Sequence, residues 1–289
     1  MNFLKSIYIS AYVTCLAIAS GHAAYGIAQQ GLESIWSGVL IAVLPSFLFF
    51  VRLFVTPVAR TSANLYYILI YAVLGSAIAL YLSQNSQQTL FAALYSLGLG
   101  VTGGLIYIFW YSRLDRSNSD QLNNGNTLPS FTLTHGNDEL KGQTWQSSEL
   151  QNHPALLLFF RGNWCPLCMA QIKEVAAHYQ QLEAMGVKVY LVSPQPEAQT
   201  QTLAKKFNVK YHFMVDKDNA AAKILGIEAK HGTPKGLEAL GYESDTVLPT
   251  VIMTDQKGKI IFNDQTDNYR VRPEPETFIE EFEKHGITA

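Results

Sequence analysis

The sequence predicts two unlike halves, an α-helical membrane domain of four spans followed by a three-layer α/β domain. Three observations carry this reading. Charged residues almost vanish up to Tyr111, where four apolar segments occupy the chain. Beyond Tyr111 the composition becomes an ordinary soluble mixture of charged, apolar and turn residues. Within that second part, short aliphatic runs alternate with segments whose apolar residues recur at helical spacing. A length of 289 residues suits two domains, with expected bounds of 1–111 for the membrane domain, 112–127 for a polar linker and 128–289 for the α/β domain. The formal net charge of -2 averages over both halves, and no Lys/Arg-rich run occurs, so nucleic acid is not an expected partner.

The four apolar segments run from Ile7 to Tyr25, Ile35 to Val55, Leu65 to Leu82 and Leu90 to Tyr111. Each approaches the ~20 residues that a helix needs to cross a bilayer core. A cleaved signal peptide would explain the first alone, but three more follow it. Gly100 and Gly104 form a small-xxx-small pair, with Gly98 and Gly103 nearby, which lets the last helix approach a neighbour closely. Pro45 is expected to kink the second. Tyr66, Tyr67, Tyr107, Trp110 and Tyr111 cluster near span ends, as interfacial aromatics do. Cys15 and His22 read as packing residues and carry no assigned role.

Basic residues orient the domain. Lys5 precedes the first span, Arg52 and Arg60 flank the second connection, and Arg113 and Arg116 follow the fourth, while the connections Gly26 to Ser34 and Ser83 to Thr89 contain no Lys or Arg. The positive-inside rule then places both termini and the second connection in the cytoplasm, so the chain is expected to be a multi-pass protein of an inner or cytoplasmic membrane with its soluble domain facing the cytoplasm.

After the polar run from Ser112 to Thr127, which reads as a tether, the α/β domain begins near Leu128. Phe131 to Thr134 and Ala155 to Phe160 read as strands. Pro166 to Leu182 has apolar positions Met169, Ile172, Val175, Ala176 and Leu182 at helical spacing. Val187 to Val192 suits a buried parallel strand. Ala198 to Phe207 is helical, Tyr211 to Val215 extended, and Asp218 to Leu225 a short helix closed by Gly226. Pro249 to Met253 and Lys259 to Phe262 are strands joined by a hairpin connection, and a last helix runs from Glu274 to Lys284. Successive β-α-β units with a terminal hairpin and helix give three layers.

Chemistry concentrates in Arg161-Gly162-Asn163-Trp164-Cys165-Pro166-Leu167-Cys168. This Cys-x-x-Cys follows a buried strand and opens a helix, a redox arrangement. The helix N-terminus offers unpaired N–H groups and partial positive charge to Cys165, which favours its thiolate. Cys168 lies one turn away, within reach of a disulfide, and Pro166 suits the first helical position. A zinc site would need two further ligands at suitable spacing, and no second Cys-x-x-Cys or His-x-x-x-His exists. Met169 stands where haem attachment needs histidine. No cofactor is therefore expected beyond a redox-active Cys165–Cys168 disulfide.

Trp164 to Cys168 after a buried strand, with Leu248-Pro249-Thr250 opening a later one, resembles the thioredoxin fold. Phe160 to Cys168, Leu191-Val192-Ser193-Pro194 and Asp245 to Thr250 are similar to the peroxiredoxin-like branch of that superfamily, which includes alkyl hydroperoxide reductases and thiol-specific antioxidant proteins. The resemblance covers about Leu128 to Lys284. It implies an antioxidant thiol oxidoreductase in which Cys165 is the nucleophile, Cys168 the resolving thiol, and Pro249 a cis residue beside the pair. Arg161 is expected to lower the Cys165 pKa or hold a substrate anion, and Trp164 to shield the pair. Two positions depart from the pattern. Gly162 replaces the Thr or Ser that typical peroxiredoxins carry three residues before the reactive Cys, and Leu158 replaces their Pro. Phe159 stands where thioredoxins often bury an acid.

The expected reaction is reduction of a peroxide or a protein disulfide at the expense of a thiol reductant, by an enzyme embedded in membrane lipid. A redox sensor whose disulfide signals through the membrane domain without turnover is the alternative. A quinone-reducing shuttle would want cysteine pairs within the membrane helices, where only Cys15 is present. The polar run Asp264, Asp267, Asn268, Tyr269, Arg270 and Arg272 is either a lining of the substrate cleft or, the favoured reading, a solvated loop, and His231 to Tyr242 reads as an irregular insertion near the site.

Overall fold

A computed structural model describes residues 2–137, 140–207 and 209–289. The chain divides into two compact units, Leu4–Pro57 with Thr61–Arg113 in one and Leu114–Ala289 as the main part of the other.

In the first unit the apolar segments become α1 (Asn2–Gln30), α2 (Ile35–Val55), α3 (Tyr66–Tyr81) and α4 (Ser86–Tyr111). Among the described residues α1, α2 and α4 are long and apolar enough to cross a membrane. The 16 residues of α3 span only about 24 Å at 1.5 Å per residue, short of a ~30 Å hydrocarbon core. It starts late because Leu65 is held in a left-handed conformation, φ 44°. The closest crossing is α2 on α3: a Cβ on Gly38 would lie 2.3 Å from the Ala79 nitrogen, and one on Gly75 2.4 Å from the Ala42 nitrogen. Only glycine permits that approach. A Cβ on Gly100 would lie 3.2 Å from the Ala42 carbonyl oxygen, a looser version of the packing its spacing predicts. His22 Nδ1 lies 2.8 Å from Tyr95 Oη and its ring packs on Trp36, while Cys15 is exposed.

The second unit is built on a mixed sheet in the order β2-β1-β5-β4-β3-β8-β9, formed by β1 (Thr132–His135), β2 (Thr144–Gln146), β3 (Ala155–Phe159), β4 (Lys188–Ser193), β5 (His212–Val215), β8 (Thr250–Thr254) and β9 (Ile260–Asp264). β6 (Glu228–Ala229) and β7 (Thr246–Val247) pair as a separate antiparallel ribbon. β3, β4 and β5 run parallel, whereas β1 joins β5 and β8 joins β3 antiparallel. Every residue of β3 is buried, as its unbroken aliphatic run requires of a strand covered on both faces. Phe131, Leu157, Phe159, Tyr190, Leu225 and Ile252 belong to one core cluster. The hairpin between β8 and β9 forms as expected: Asp255 Oδ1 accepts from the Lys257 and Lys259 amides, and Gly258 takes φ 74°. This strand–helix–strand order with its terminal hairpin and helix is the thioredoxin fold.

Four expectations change. The helix expected from Pro166 to Leu182 breaks at His178 into α5 (Pro166–Ala177) and α6 (Tyr179–Ala184). The remaining helices are α7 (Glu197–Phe207), α8 (Ala220–Ile224) and α9 (Pro275–Lys284). The stretch 112–127 is no free tether. Leu122 is fully buried in the core cluster, Gly125 N donates to Ile260 O at 2.7 Å, Ile260 N donates to Asn126 O at 2.8 Å, and Thr127 bridges Lys259. A buried leucine, the edge of β9 and bonds from Leu114, Arg116 and Ser119 to Asp267, Pro249 and Gln265 together hold an otherwise polar segment. The run from Asp264 to Arg272 is not a solvated loop either, since Asn268, Tyr269, Arg270 and Arg272 are all buried. Finally, among the described residues no peptide bond is cis, so Pro249 is trans.

Candidate active site

Each cysteine is placed by its element. β3 delivers the chain to the carboxyl end of the central sheet, Phe160 N continues its pairing to Val192 O at 2.9 Å, and Gly162 turns the chain at φ 150°. Cys165 caps α5, with Pro166 in its first turn. The Cys165 sulfur accepts from the Cys168 amide at 3.4 Å, an orphan donor of the helix N-terminus. The two sulfurs are free thiols in a 2.6 Å sulfur–sulfur hydrogen bond. Cys165 is 3% exposed and Cys168 0%, so only a small reagent reaches them without an opening of the site.

The electrostatics act on the pair as one unit. Burial, together with the neighbouring sulfur, pushes the Cys165 thiol well up, partly opposed by Arg272 and Arg161. Burial also works to raise Cys168, but the hydrogen bond with Cys165, the Arg272 guanidinium and the Arg161 backbone outweigh it and bring Cys168 down to about 5. The pair therefore ionises once easily and a second time only with difficulty. The pair thus favours a single negative charge, with the Arg272 guanidinium in contact on the Cys168 side.

Arg272 is the group that sequence reasoning misses. It is 7% exposed, and its Nη2 lies 3.5 Å from Cys168 Sγ. Nη1 donates to Gln171 Oε1 at 2.8 Å and Nε to Tyr269 O at 3.0 Å. Nothing local marks it, because an arginine in a Tyr-Arg-Val-Arg-Pro run is read as solvated until the fold brings it beneath α5.

Arg161 bonds neither sulfur through its side chain, but its charge acts to lower Cys165, as expected. Its Nη2 donates to Gly232 O and its guanidinium stacks 4.9 Å from the Trp164 ring. It thereby joins the cysteine loop to the 231–242 segment, as Tyr242 Oη does by donating to Asn163 Oδ1 and Thr246 Oγ1 by donating to Arg161 O at 2.8 Å. From the other side the loop is held by Gln195, whose Oε1 accepts from Asn163 N at 2.8 Å. Trp164 is half-buried over this junction. Pro249 lies level with Phe160, since Phe159 pairs with Thr250, and it lines one small cavity with Gln171, Thr250, Asn268 and Arg272. Arg116 bonds Pro249 O and Thr250 Oγ1, each at 3.1 Å, and occupies the edge beside that proline.

Residues 124–263 match the model of the AhpC/TSA family. This part of the second unit is thus similar to the AhpC/TSA family. Its span covers β1 to β9 and both cysteines, and leaves the apolar helices outside. Among curated proteins the chain is similar to the chloroplastic peroxiredoxin Q of Triticum aestivum, 24% identical over 107 residues, which is 37% of this chain and 48% of that protein. The chain thus spans about half the length of the curated relative it matches. Among solved structures it is similar to Enterococcus faecalis AhpC, at 15% identity and TM-score 0.46 over 59% of this chain and 93% of that one. A peroxiredoxin-like protein from Aquifex aeolicus gives 13% and 0.45 over 56% and 87%. Within the matched segment Gly162 has a local cause. A Cβ there would lie 2.6 Å from Trp164 Nε1, so the side chain of Trp164 excludes a hydroxyl-bearing residue at this position. No group of three or more His, Cys, Asp or Glu able to hold a metal occurs among the described residues.

Proposed function

We propose that the chain is a membrane-anchored thiol peroxidase in which Cys165 and Cys168 cycle between dithiol and disulfide, with a small hydroperoxide as oxidant. The observation that carries the reading is the buried 2.6 Å sulfur pair at the N-terminus of α5. Its burial favours a small peroxide over a protein disulfide, and the AhpC/TSA match supports the same class.

As Cys165 attacks, its proton crosses the short sulfur–sulfur contact to Cys168. The Cys165 thiolate attacks the distal peroxide oxygen; the S–O bond forms, the O–O bond breaks, and the leaving alkoxide takes the proton from Cys168 and departs as alcohol or water. Cys165 is then a sulfenic acid, oxidised by two electrons, and Cys168 a thiolate. Cys168 attacks the Cys165 sulfur, the S–S bond forms, the S–O bond breaks, and hydroxide leaves to become water with a solvent proton. An external dithiol returns two electrons and two protons. No cofactor enters the cycle.

We place the domain at the cytoplasmic face of a membrane crossed by the four apolar helices, the short α3 being accommodated by local thinning of the bilayer, on the distribution of Lys5, Arg52, Arg60, Arg113 and Arg116. The full-length protein in detergent, reduced and mixed with hydrogen peroxide or an organic hydroperoxide in stopped flow, is expected to oxidise faster than a free thiol and to end as an intramolecular disulfide. Cys165→Ser is expected to abolish the reaction, and Cys168→Ser to stop it at a dimedone-reactive sulfenic acid. Oxidation no faster than a free thiol removes the peroxidase reading, and absence of steady-state turnover favours a sensor.

A further inference from the structure

Arg272 has an unusual set of partners for a buried cation. Among the described residues its side chain bonds two neutral oxygens, Gln171 Oε1 and Tyr269 O, and one ionisable atom, Cys168 Sγ. None of these is a carboxylate. Asp264 adds attraction only from beyond bonding distance. A buried guanidinium without an anion carries a large desolvation penalty, so some partner must supply the negative charge. Among the described residues the sulfur is the only candidate in contact. The planar fork is fixed at three of its nitrogens, which leaves the guanidinium little freedom to turn toward solvent.

We propose that Arg272 acts in the reaction by holding Cys168 as the thiolate, so that closure of the Cys165–Cys168 disulfide needs no prior deprotonation and stays constant from neutral to mildly acidic pH. This rests on the two-cysteine cycle proposed above and assigns the second thiol, not the first, as the arginine's partner. The groups that face Cys168 are Cys165, Arg161 through its backbone and Arg272, with Asp264 at longer range on Arg272. Of these only Arg272 brings a full positive charge into contact with the sulfur.

The benefit is in pH range rather than speed. A free thiol with pKa ~8.5 is only ~3% thiolate at pH 7, so full ionisation raises the attacking species roughly thirtyfold. Lower basicity weakens the nucleophile, and a Brønsted slope of about 0.4–0.5 over three to four units takes back roughly thirtyfold. Near neutrality the two nearly cancel. Below it they do not, because a free thiol loses about tenfold in thiolate per pH unit while an ionised Cys168 loses almost none.

The test uses full-length protein in detergent, with Cys15→Ala throughout so that only the site thiols report. In Cys165→Ser the lone Cys168 is titrated by its ultraviolet thiolate absorbance, and Arg272→Gln is expected to raise its midpoint by about 1–3 pH units. Disulfide closure is then followed in single turnover, started once by hydrogen peroxide and once by a small aromatic disulfide. Between pH 6 and 8 the rate with Arg272 is expected to vary by less than about twofold, whereas Arg272→Gln slows as the pH falls below its raised midpoint, approaching tenfold per unit there. Parallel pH profiles for the two proteins overturn the proposal. So does a Cys168 midpoint at the free-thiol value in Cys165→Ser alone, a measurement that stands even if Arg272→Gln fails to fold. The titration and the disulfide-started closure need no peroxide, so loss of the peroxidase reading leaves them decisive.

Discussion

Restoring the hydroxyl that typical peroxiredoxins carry before the reactive cysteine is expected to damage this protein rather than improve it. In Gly162→Thr the new Cβ meets Trp164 Nε1 at 2.6 Å and Cδ1 at 2.8 Å, at a backbone φ of 150° that β-branched residues avoid. The conformational penalty is about 1–3 kcal/mol, and overpacking against the indole adds about 1–3 kcal/mol. Together they predict a loss of roughly 2–6 kcal/mol. With a urea m-value of ~2 kcal/mol/M for a domain of this size, that moves the midpoint down by about 1–3 M. Pulse proteolysis of the full-length chain in detergent reads that midpoint in the soluble domain without requiring the whole chain to be two-state. Trp164→Ala in the same chain removes the steric part and leaves the backbone part, so the double mutant is expected to recover about 1–3 kcal/mol relative to additivity. An unchanged midpoint for Gly162→Thr, or strictly additive effects, would refute the account of why this position is glycine.

Three further outcomes follow from the structure. Leu122→Ala is expected to cost about 2–5 kcal/mol by the same proteolysis assay, as for a core leucine, whereas a tether residue would show almost nothing. The stability of the reduced protein is expected to rise with pH between about 5 and the ordinary thiol value of ~8.5, by up to ~1.4 kcal/mol per unit, and Cys168→Ser should flatten that slope. The sign follows because Cys168 is depressed in the folded state, so the unfolded chain binds more protons across this window; Cys165, pushed up, stays protonated in both states and is silent there. In a chain lacking its own cysteines, Asn124→Cys provides an exposed thiol on the soluble domain, and an impermeant maleimide is expected to label it only after cells are opened. Ready labelling of intact cells would reverse the proposed orientation.

The legible features were those encoded by neighbours in the chain. Cys165 and Cys168 one helical turn apart, Pro166 in the first turn, the aliphatic run of β3 and the Asp255–Gly258 turn act over a few residues, where side-chain period and capping chemistry leave few alternatives. The apolar character of α1, α2 and α4 was equally local, being a matter of composition over a window. By itself, then, the sequence determined that an apolar helical half precedes an α/β half, and that two thiols stand at a helix N-terminus after a buried strand. Tertiary structure decided what those thiols experience. Arg272 lies 104 positions from Cys168 yet contacts its sulfur, Trp164 accounts for Gly162, and Leu122 turns a polar stretch into part of the core. Each depends on a contact between parts of the chain whose own periodicity says nothing of the other. A charged or polar residue is read as solvated until the fold removes the water around it and supplies its partner.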